Sequence, residues 1–209
     1  PNIRNEALET FDPDGPQANR VIDKILERNA AITPTIITFM LAGKEYTDRI
    51  DAVDGWRYLS PEGLANHRAR RAEWDAQLDE AAQQNRLLEK QYRFISRIVR
   101  GGGRGFCGTD PSYPLIVPGY AIAWEAENLT RCGMSCRQVM LALTSEAARE
   151  MKIFEKTGSI EPGKEADLCV LGKNPLDDIR NLTTVHRIYK GGRCFNPAAL
   201  RASAVGMMK

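Results

Sequence analysis

The chain has 209 residues, of which 43% are hydrophobic and 27% are charged, as in an ordinary globular protein. Its net charge of +2 and the mixing of basic with acidic residues argue against a nucleic-acid-binding surface. No apolar stretch approaches the roughly 20 residues that cross a membrane, and no basic-then-apolar leader is visible. We therefore expect a cytoplasmic protein with neither membrane nor nucleic-acid partners.

The first part of the chain predicts one helix and one strand. After an early cluster of turn-forming residues, apolar side chains recur at helical spacing from Val21 to Leu26. The short run 30–39 is rich in β-branched residues and predicts a buried strand, with Pro34 marking either a bulge or the end of the strand.

A long helical insertion is predicted next. Residues 40–61 are irregular and indicate a connection with short helical turns, whereas residues 62–100 are charged, rich in Gln and Ala, and apolar on one face. Three glycines at 101–103 end this helix. Residues 104–110 then predict a short strand that stops at a carboxylate, and a Pro- and Gly-bearing loop follows at 111–120.

The remainder of the chain changes from helices to short strands. Two helices and three strands are predicted, at about residues 121–131, 135–151, 166–171, 185–190 and 193–195. Ser135 is a suitable N-cap for the second helix, and Gly191-Gly192 suits a tight turn between the last two strands. Alternating helices and strands up to residue 156 indicate parallel β/α units, and the tail indicates a separate small β module.

The five cysteines indicate reduced thiols, because the number is odd and the chain is too long to need disulfides. Cys107, Cys169 and Cys194 stand in apolar, strand-like contexts and are predicted to be buried. Cys132 and Cys136 lack the second ligand pair that a structural zinc site would need.

The candidate catalytic residue is Asp110, which ends the predicted strand within Gly108-Thr109-Asp110. Active sites in barrel folds are built at the carboxyl ends of parallel strands. Gly108 would let other groups approach closely, and Thr109 could orient the carboxylate by hydrogen bonding. Taken alone, however, this motif is more common as an Asp that caps a turn.

Several motifs accompany Asp110 in a fixed order. They are Trp124–Leu129, Gly133–Ser135, Val139–Ala148, Gly158–Leu168, Asn174–Ile179 and Tyr189–Gly192, of which Gly-Ser-Ile-Glu-Pro-Gly-Lys-Glu-Ala-Asp-Leu is the most specific. This series resembles the closing half of the amidohydrolase superfamily, in particular its imidazolonepropionase-like and related cyclic-amidase members. The match is strong over residues 108–192 and fair over residues 12–35.

The resemblance implies an α/β fold. Residues 1–156 would form the C-terminal part of a (β/α)8 metal-dependent hydrolase barrel with a helical insertion at about 40–100, and residues 157–209 a small β-sandwich. It also implies that Asp110 ligates a divalent metal, zinc in first place, and takes a proton from the metal-bound water that attacks an amide-type carbon. The implied substrate is a small amide or cyclic amide.

Most of the metal ligands of that family have no counterpart in this sequence. The family's sixth-strand His would fall near Ile3–Glu6, which contains none, and the ligands of its earlier strands would lie upstream. His67 stands in the insertion and His186 in the tail, and neither matches a ligand position. One carboxylate would hold zinc weakly, because zinc sites use three or four protein ligands.

We therefore expect the chain to be inactive by itself. Three alternatives remain open at this stage. In the first, the chain is the C-terminal part of a hydrolase whose N-terminal half is missing. In the second, it is one half of a split hydrolase. In the third, it is a degenerate subunit with a binding or structural role.

Other residues are predicted to have structural or peripheral roles. Gly158 and Gly163 are expected to serve turns, and Asp167 to fix the tail against the barrel. Tyr113 or Tyr120 is expected to line the substrate mouth, with packing in the core as the alternative.

An incomplete barrel leaves strand edges and apolar faces uncovered, and this favours association. We predict that the isolated 209-residue chain forms oligomers or aggregates. Size-exclusion chromatography with light scattering measures this directly. A compact monomer that melts cooperatively would contradict the incomplete-barrel interpretation.

Overall fold

The computed structural model describes residues 9–40, 44–53, 55–75, 78–111 and 116–207. In chain order its elements are α1 (Pro16–Glu27), β1 (Ala31–Ile32), α2 (Ile37–Met40), α3 (Lys44–Ala52), a first 3-10 turn (Gly55–Tyr58), α4 (Pro61–Asp75), α5 (Leu78–Arg100), β2 (Arg104–Gly105), α6 (Tyr120–Arg131), α7 (Cys136–Leu143), α8 (Ser145–Glu150), β3 (Leu168–Leu171), a second 3-10 turn (Ile179–Thr183), β4 (Val185–Lys190), β5 (Arg193–Phe195) and α9 (Pro197–Ser203). This mixture makes the protein an α/β protein.

The strands β1 and β2 form a parallel pair although 71 residues separate Ile32 from Arg104 in the chain. Ala31 pairs with Arg104, and Ile32 pairs with Gly105. Parallel strands need a crossover connection, and the helices α2 to α5 supply it here. The carboxyl ends of both strands consequently lie at the same edge of the sheet.

The strand predicted over residues 30–39 is wrong beyond Ile32. Pro34 has no N–H group to donate, and Thr35 has a left-handed φ of 47°, so the extended ladder cannot continue. Residues Ile37–Met40 form the short helix α2 instead.

The strand predicted over residues 104–110 is also shorter than expected. Its ladder ends where the N–H of Phe106 donates to the carbonyl of Ile32 at 2.8 Å. Asp110 has a φ of 48°, in the left-handed region, and a residue in that conformation terminates extended pairing.

The helical structure predicted for residues 40–100 is confirmed within the described residues. Residues 40–61 contain α3 and the first 3-10 turn, and the predicted helix over 62–100 corresponds to α4 and α5, with residues 76–77 outside the described part. The helix α5 packs against α1, on which Ala18 and Ile22 are buried. The apolar face of α5 thereby gains a partner.

Ser135 caps α7 as predicted. Its hydroxyl accepts a hydrogen bond from the N–H of Gln138 at 3.3 Å, and the Gln138 side chain accepts one from the N–H of Ser135 at 2.8 Å. This reciprocal pair is a capping box. The single helix predicted over residues 135–151 is broken at Thr144, whose backbone leaves the helical region with φ −129° and ψ −95°.

The tail contains an antiparallel sheet in the order β3-β4-β5. Gly191 and Gly192 both have positive φ and form the tight turn that was predicted. Asp167 accepts a hydrogen bond from the N–H of Gly191 at 2.8 Å and pairs with Lys190. The prediction that Asp167 fixes the tail against the barrel is therefore wrong, since its described partners lie at a turn of its own sheet.

The burial predicted for the cysteines is only partly correct. Cys107 is half-buried, but Cys169 and Cys194 are exposed on β3 and β5. A three-stranded sheet is too small to enclose every apolar side chain. All five cysteines are free thiols, as expected.

The helix α6 lies between two clusters of buried apolar residues. The first cluster comprises Ile37, Met40, Tyr46, Ile50, Ile116, Val117, Ala121 and Trp124. The second comprises Ala126, Leu129, Met134, Val139, Ala142 and Ile179. Because Ile179 comes from the 3-10 turn in the tail, the tail packs against α6.

No helix in the described ranges is long and apolar enough to cross a membrane.

Gly158 tests how tightly the connection into the tail packs. Gly158 has a φ of 96°, and a Cβ on it would lie 2.5 Å from the Cβ of Ala148. Gly163 has a φ of 90°, but a Cβ on it would have no other atom within 4 Å. We predict that Gly163→Ala costs about 1–2 kcal/mol through its backbone alone. Gly158→Ala should cost about 1–3 kcal/mol more through overlap.

Urea denaturation of the two glycine variants measures this difference. Equal losses of unfolding free energy would show that the contact with Ala148 relaxes at no cost.

Candidate active site

The candidate site lies at the edge where both parallel strands end. The β1 segment, residues 33–37, follows β1, and the β2 segment, residues 106–110, follows β2. The two segments meet at Gly108. A Cβ on Gly108 would lie 2.6 Å from the Thr33 methyl group, a distance that real Cβ atoms do not show. Gly108 is therefore required for this close approach, as the sequence predicted.

Asp110 follows the Gly108 contact by two residues. Its side chain is exposed and its backbone is left-handed, so the carboxylate stands on a bend at the end of the β2 segment. The role of Asp110 as ligand or base, and the orienting role of Thr109, stay predictions.

Glu125 is the principal residue that sequence reasoning missed. Its side chain on α6 is fully buried, and its two oxygens accept hydrogen bonds from the N–H of Ile36 at 2.9 Å and of Ile37 at 2.7 Å. Asn128 donates a third hydrogen bond at 3.1 Å. The sequence signal was a carboxylate within an Ala- and Trp-rich helical turn, where a buried charge needs dedicated partners.

Burial raises the pKa of Glu125 from 4.5 to about 7, and the three hydrogen bonds oppose the shift. Desolvation outweighs the hydrogen bonds, so the carboxyl group titrates near neutral pH. Glu125 thus differs from an ordinary surface glutamate in both position and proton affinity.

A chain of polar contacts extends from Glu125 to the surface. The Tyr92 hydroxyl donates to Asn128 at 2.6 Å, and Arg131 donates to the same hydroxyl at 3.2 Å. Arg131 also binds Glu45 on α3, and this hydrogen bond lowers the pKa of Glu45. Burial raises the pKa of Tyr92 to about 12, so its proton remains in place at neutral pH.

The same helix also contacts the β2 segment. The thiol of Cys107 lies 3.7 Å from the carbonyl oxygen of Ile122 on α6. Burial raises the pKa of Cys107, and it raises that of Cys132 to about 12. Both thiols are therefore protonated at neutral pH and are poor nucleophiles.

Tyr120 occupies the start of α6 and packs with other aromatic residues. Its ring stacks on Trp124 with a centroid distance of 6.0 Å and lies 6.2 Å from the ring of Tyr58. Trp124 meets Tyr46 edge-on at 5.6 Å. These contacts of Tyr120 agree with packing in the core, which was the alternative to a place at the substrate mouth. Tyr113 lies outside the described residues.

Metal-binding side chains do not converge in the described part of the chain. No group of three or more His, Cys, Asp and Glu side chains there could hold a metal ion. His186 is exposed on β4, and His67 belongs to α4. Asp110 offers one carboxylate, which does not by itself fit zinc, since zinc takes three or four protein ligands. The Ile3–Glu6 region is outside the described residues.

The sequence as a whole supports a family assignment. The sequence profile of the amidohydrolase family matches residues 6–194, which is most of the chain. The chain therefore belongs to the amidohydrolase family.

Two related proteins are imidazolonepropionases. The one from Picrophilus torridus is 47% identical over 51 residues, covering 24% of this chain and 12% of that protein. The one from Kosmotoga olearia is 34% identical over 68 residues, covering 31% of this chain and 17% of that protein. The chain thus matches less than a fifth of the length of either relative.

Solved structures share the fold over most of the chain. A bottromycin amidohydrolase aligns with a TM-score of 0.66 at 22% identity, over 84% of this chain and 40% of that one. A Xaa-Pro dipeptidase with bound methionine in its active site aligns with a TM-score of 0.60 at 21% identity, over 85% and 37%. Molinate hydrolase aligns with a TM-score of 0.58 at 21% identity, over 91% and 38%.

The titration of Glu125 predicts a pH-dependent stability. Its folded pKa of about 7 lies above the ordinary 4.5, so the folded chain holds more protons between these values. Stability from Glu125 is therefore full below pH 4.5 and is lost as the pH rises through about 7. We predict a loss of about 3 kcal/mol across this window, which Glu125→Gln abolishes.

Urea denaturation at several pH values between 4.5 and 8 checks this prediction about Glu125. Glu127→Gln, on the same helix but paired with Arg49, is the control that keeps the pH dependence. Parallel stability curves for the wild type and Glu125→Gln would refute it.

Proposed function

We propose that the chain is the closing portion of a hydrolase that cleaves C–N bonds in small amide, cyclic amide or peptide-like substrates. The observation that carries the proposal is the family match over residues 6–194, with Asp110 following the parallel strand β2. The names of its relatives support it, since they include imidazolonepropionases, a Xaa-Pro dipeptidase and a bottromycin amidohydrolase.

The proposed architecture has two parts. Residues 1–156 would contribute the last β/α units of a (β/α)8 barrel, and residues 157–209 would contribute to a small β-sandwich. The parallel pairing of β1 with β2 supports the first part, and the antiparallel sheet β3-β4-β5 supports the second. Helical residues at about 40–100 would be an insertion at the catalytic edge of the barrel.

The proposed role of Asp110 is that of a general base. A carboxylate at the carboxyl end of a parallel strand can accept a proton from the water that attacks an amide carbon. The exposed position of Asp110 leaves room for water and substrate at this edge. Family membership also implies a divalent metal, zinc in first place, but the described residues alone do not complete a zinc site.

The other catalytic groups would come from polypeptide outside these 209 residues. They would belong either to a longer product of the same gene or to a second chain, and the chain alone would be inactive. A second candidate function is that of a non-catalytic binding or structural subunit. It is favoured by the lack of a group of three metal-binding side chains among the described residues.

The deciding experiment compares the 209-residue chain with the complete product of its gene. Both are incubated with Zn²⁺ and assayed against Xaa-Pro dipeptides, N-acyl amino acids and cyclic amides, with bound zinc counted by elemental analysis. We predict hydrolysis by the complete product, or by a complex with a second chain, and a loss of about 100-fold or more in Asp110→Asn.

Asp177→Asn is the matched control, because Asp177 is exposed in the tail and bonds to Asn174. It should retain full activity. Tight stoichiometric zinc in the 209-residue chain alone would overturn its proposed incompleteness. A complete product without zinc or hydrolysis would instead favour the non-catalytic subunit.

A further inference from the structure

We propose that Glu125 is a positioning residue that fixes the position of Asp110 through the β1 segment. The inference rests on the proposed function only in treating the edge beside Gly108 as the catalytic edge. Three contacts carry it: one from α6 to the β1 segment, one from the β1 segment to the β2 segment, and one from the β2 segment back to α6.

The first contact fixes the segment after β1 to α6. Each oxygen of the Glu125 carboxylate accepts one backbone N–H, from Ile36 at 2.9 Å and from Ile37 at 2.7 Å. All three residues are fully buried, so water cannot replace these bonds. A carboxylate is the side chain that offers two equivalent acceptors to two adjacent donors.

The hydrogen bonds to Glu125 also explain the strained backbone of Thr35. Thr35, immediately before Ile36, has a positive φ of 47°, which is unfavourable for a β-branched side chain. Such a conformation persists only where the surroundings over-determine it. The two hydrogen bonds at Ile36 and Ile37 constrain the backbone on one side of Thr35, and on the other side the ring of Pro34 fixes its own φ.

The second contact joins the β1 segment to the β2 segment at Gly108. The methyl groups of Thr33 and Thr35 lie 2.6 Å and 4.0 Å from the place where Gly108 would carry a Cβ. The backbone of Gly108 is thus packed directly against the segment that Glu125 holds. Asp110 lies two residues further along the same backbone.

The third contact makes α6 a common support for both segments. Cys107, adjacent to Gly108, approaches the carbonyl of Ile122, one turn before Glu125 on the same helix. The β1 and β2 segments therefore both contact the same helix, α6. Such shared support is what a catalytic side chain needs to be held to within a fraction of an ångström.

Hydrogen–deuterium exchange on the complete product of the gene, followed at the peptides that contain these residues, tests the positioning role. We expect Glu125→Gln to speed exchange of the Ile36 and Ile37 amides about 10- to 100-fold, because one buried N–H loses its acceptor. The effect should extend to the amides of residues 106–110. Glu127→Gln, which lies on α6 but binds Arg49, should leave both segments unchanged.

A reciprocal variant keeps the test decisive if Glu125→Gln fails to fold. Gly108→Ala places a methyl group against Thr33 and should speed exchange at Ile36 and Ile37, because coupling between two sites acts in both directions. Gly163→Ala, which has open space around it, is its control.

The positioning role is overturned if the variants change exchange only at the substituted segment, with nothing transmitted to the other. It is supported if both segments respond together while the sheet of the tail does not. This outcome is separable from the proposed function, because exchange reports the coupling whether or not Asp110→Asn alters hydrolysis.

Discussion

A buried carboxylate that accepts two adjacent backbone N–H groups is the interaction on which the rest of this structure depends. Glu125 gives Ile36 and Ile37 the acceptors that a strand partner would otherwise supply. The chain can therefore leave β1 after two residues and turn into α2 without orphaned buried donors. The cost is a desolvated acid, which appears as the raised pKa of Glu125.

The helix α6 that carries Glu125 connects the parts of the molecule. It contributes to both apolar clusters, it receives Ile179 of the tail, and it contacts Cys107 after β2. Polar residues link its buried face through Tyr92 and Arg131 to Glu45 on α3. The site edge, the helix α3 and the tail consequently share one support, even though they lie far apart in the sequence.

Family membership and site geometry bear on different questions. Membership of the amidohydrolase family explains the order of the motifs and the parallel strands. The geometry describes the edge itself, where Asp110 stands on a left-handed bend two residues after the close contact between Gly108 and Thr33. Under the proposed function, a zinc site that includes Asp110 would require further protein ligands, since zinc takes three or four of them.

Local features were determined by the sequence alone, because neighbouring residues satisfy them. The capping box at Ser135, the Gly191-Gly192 turn and the long helices of the insertion are of this kind. Where β1 ends, which cysteines are exposed and which acid is buried were decided by tertiary structure. Each depends on a partner remote in the chain, 88 residues away in the bond from Ile37 to Glu125, and no local pattern specifies such a partner.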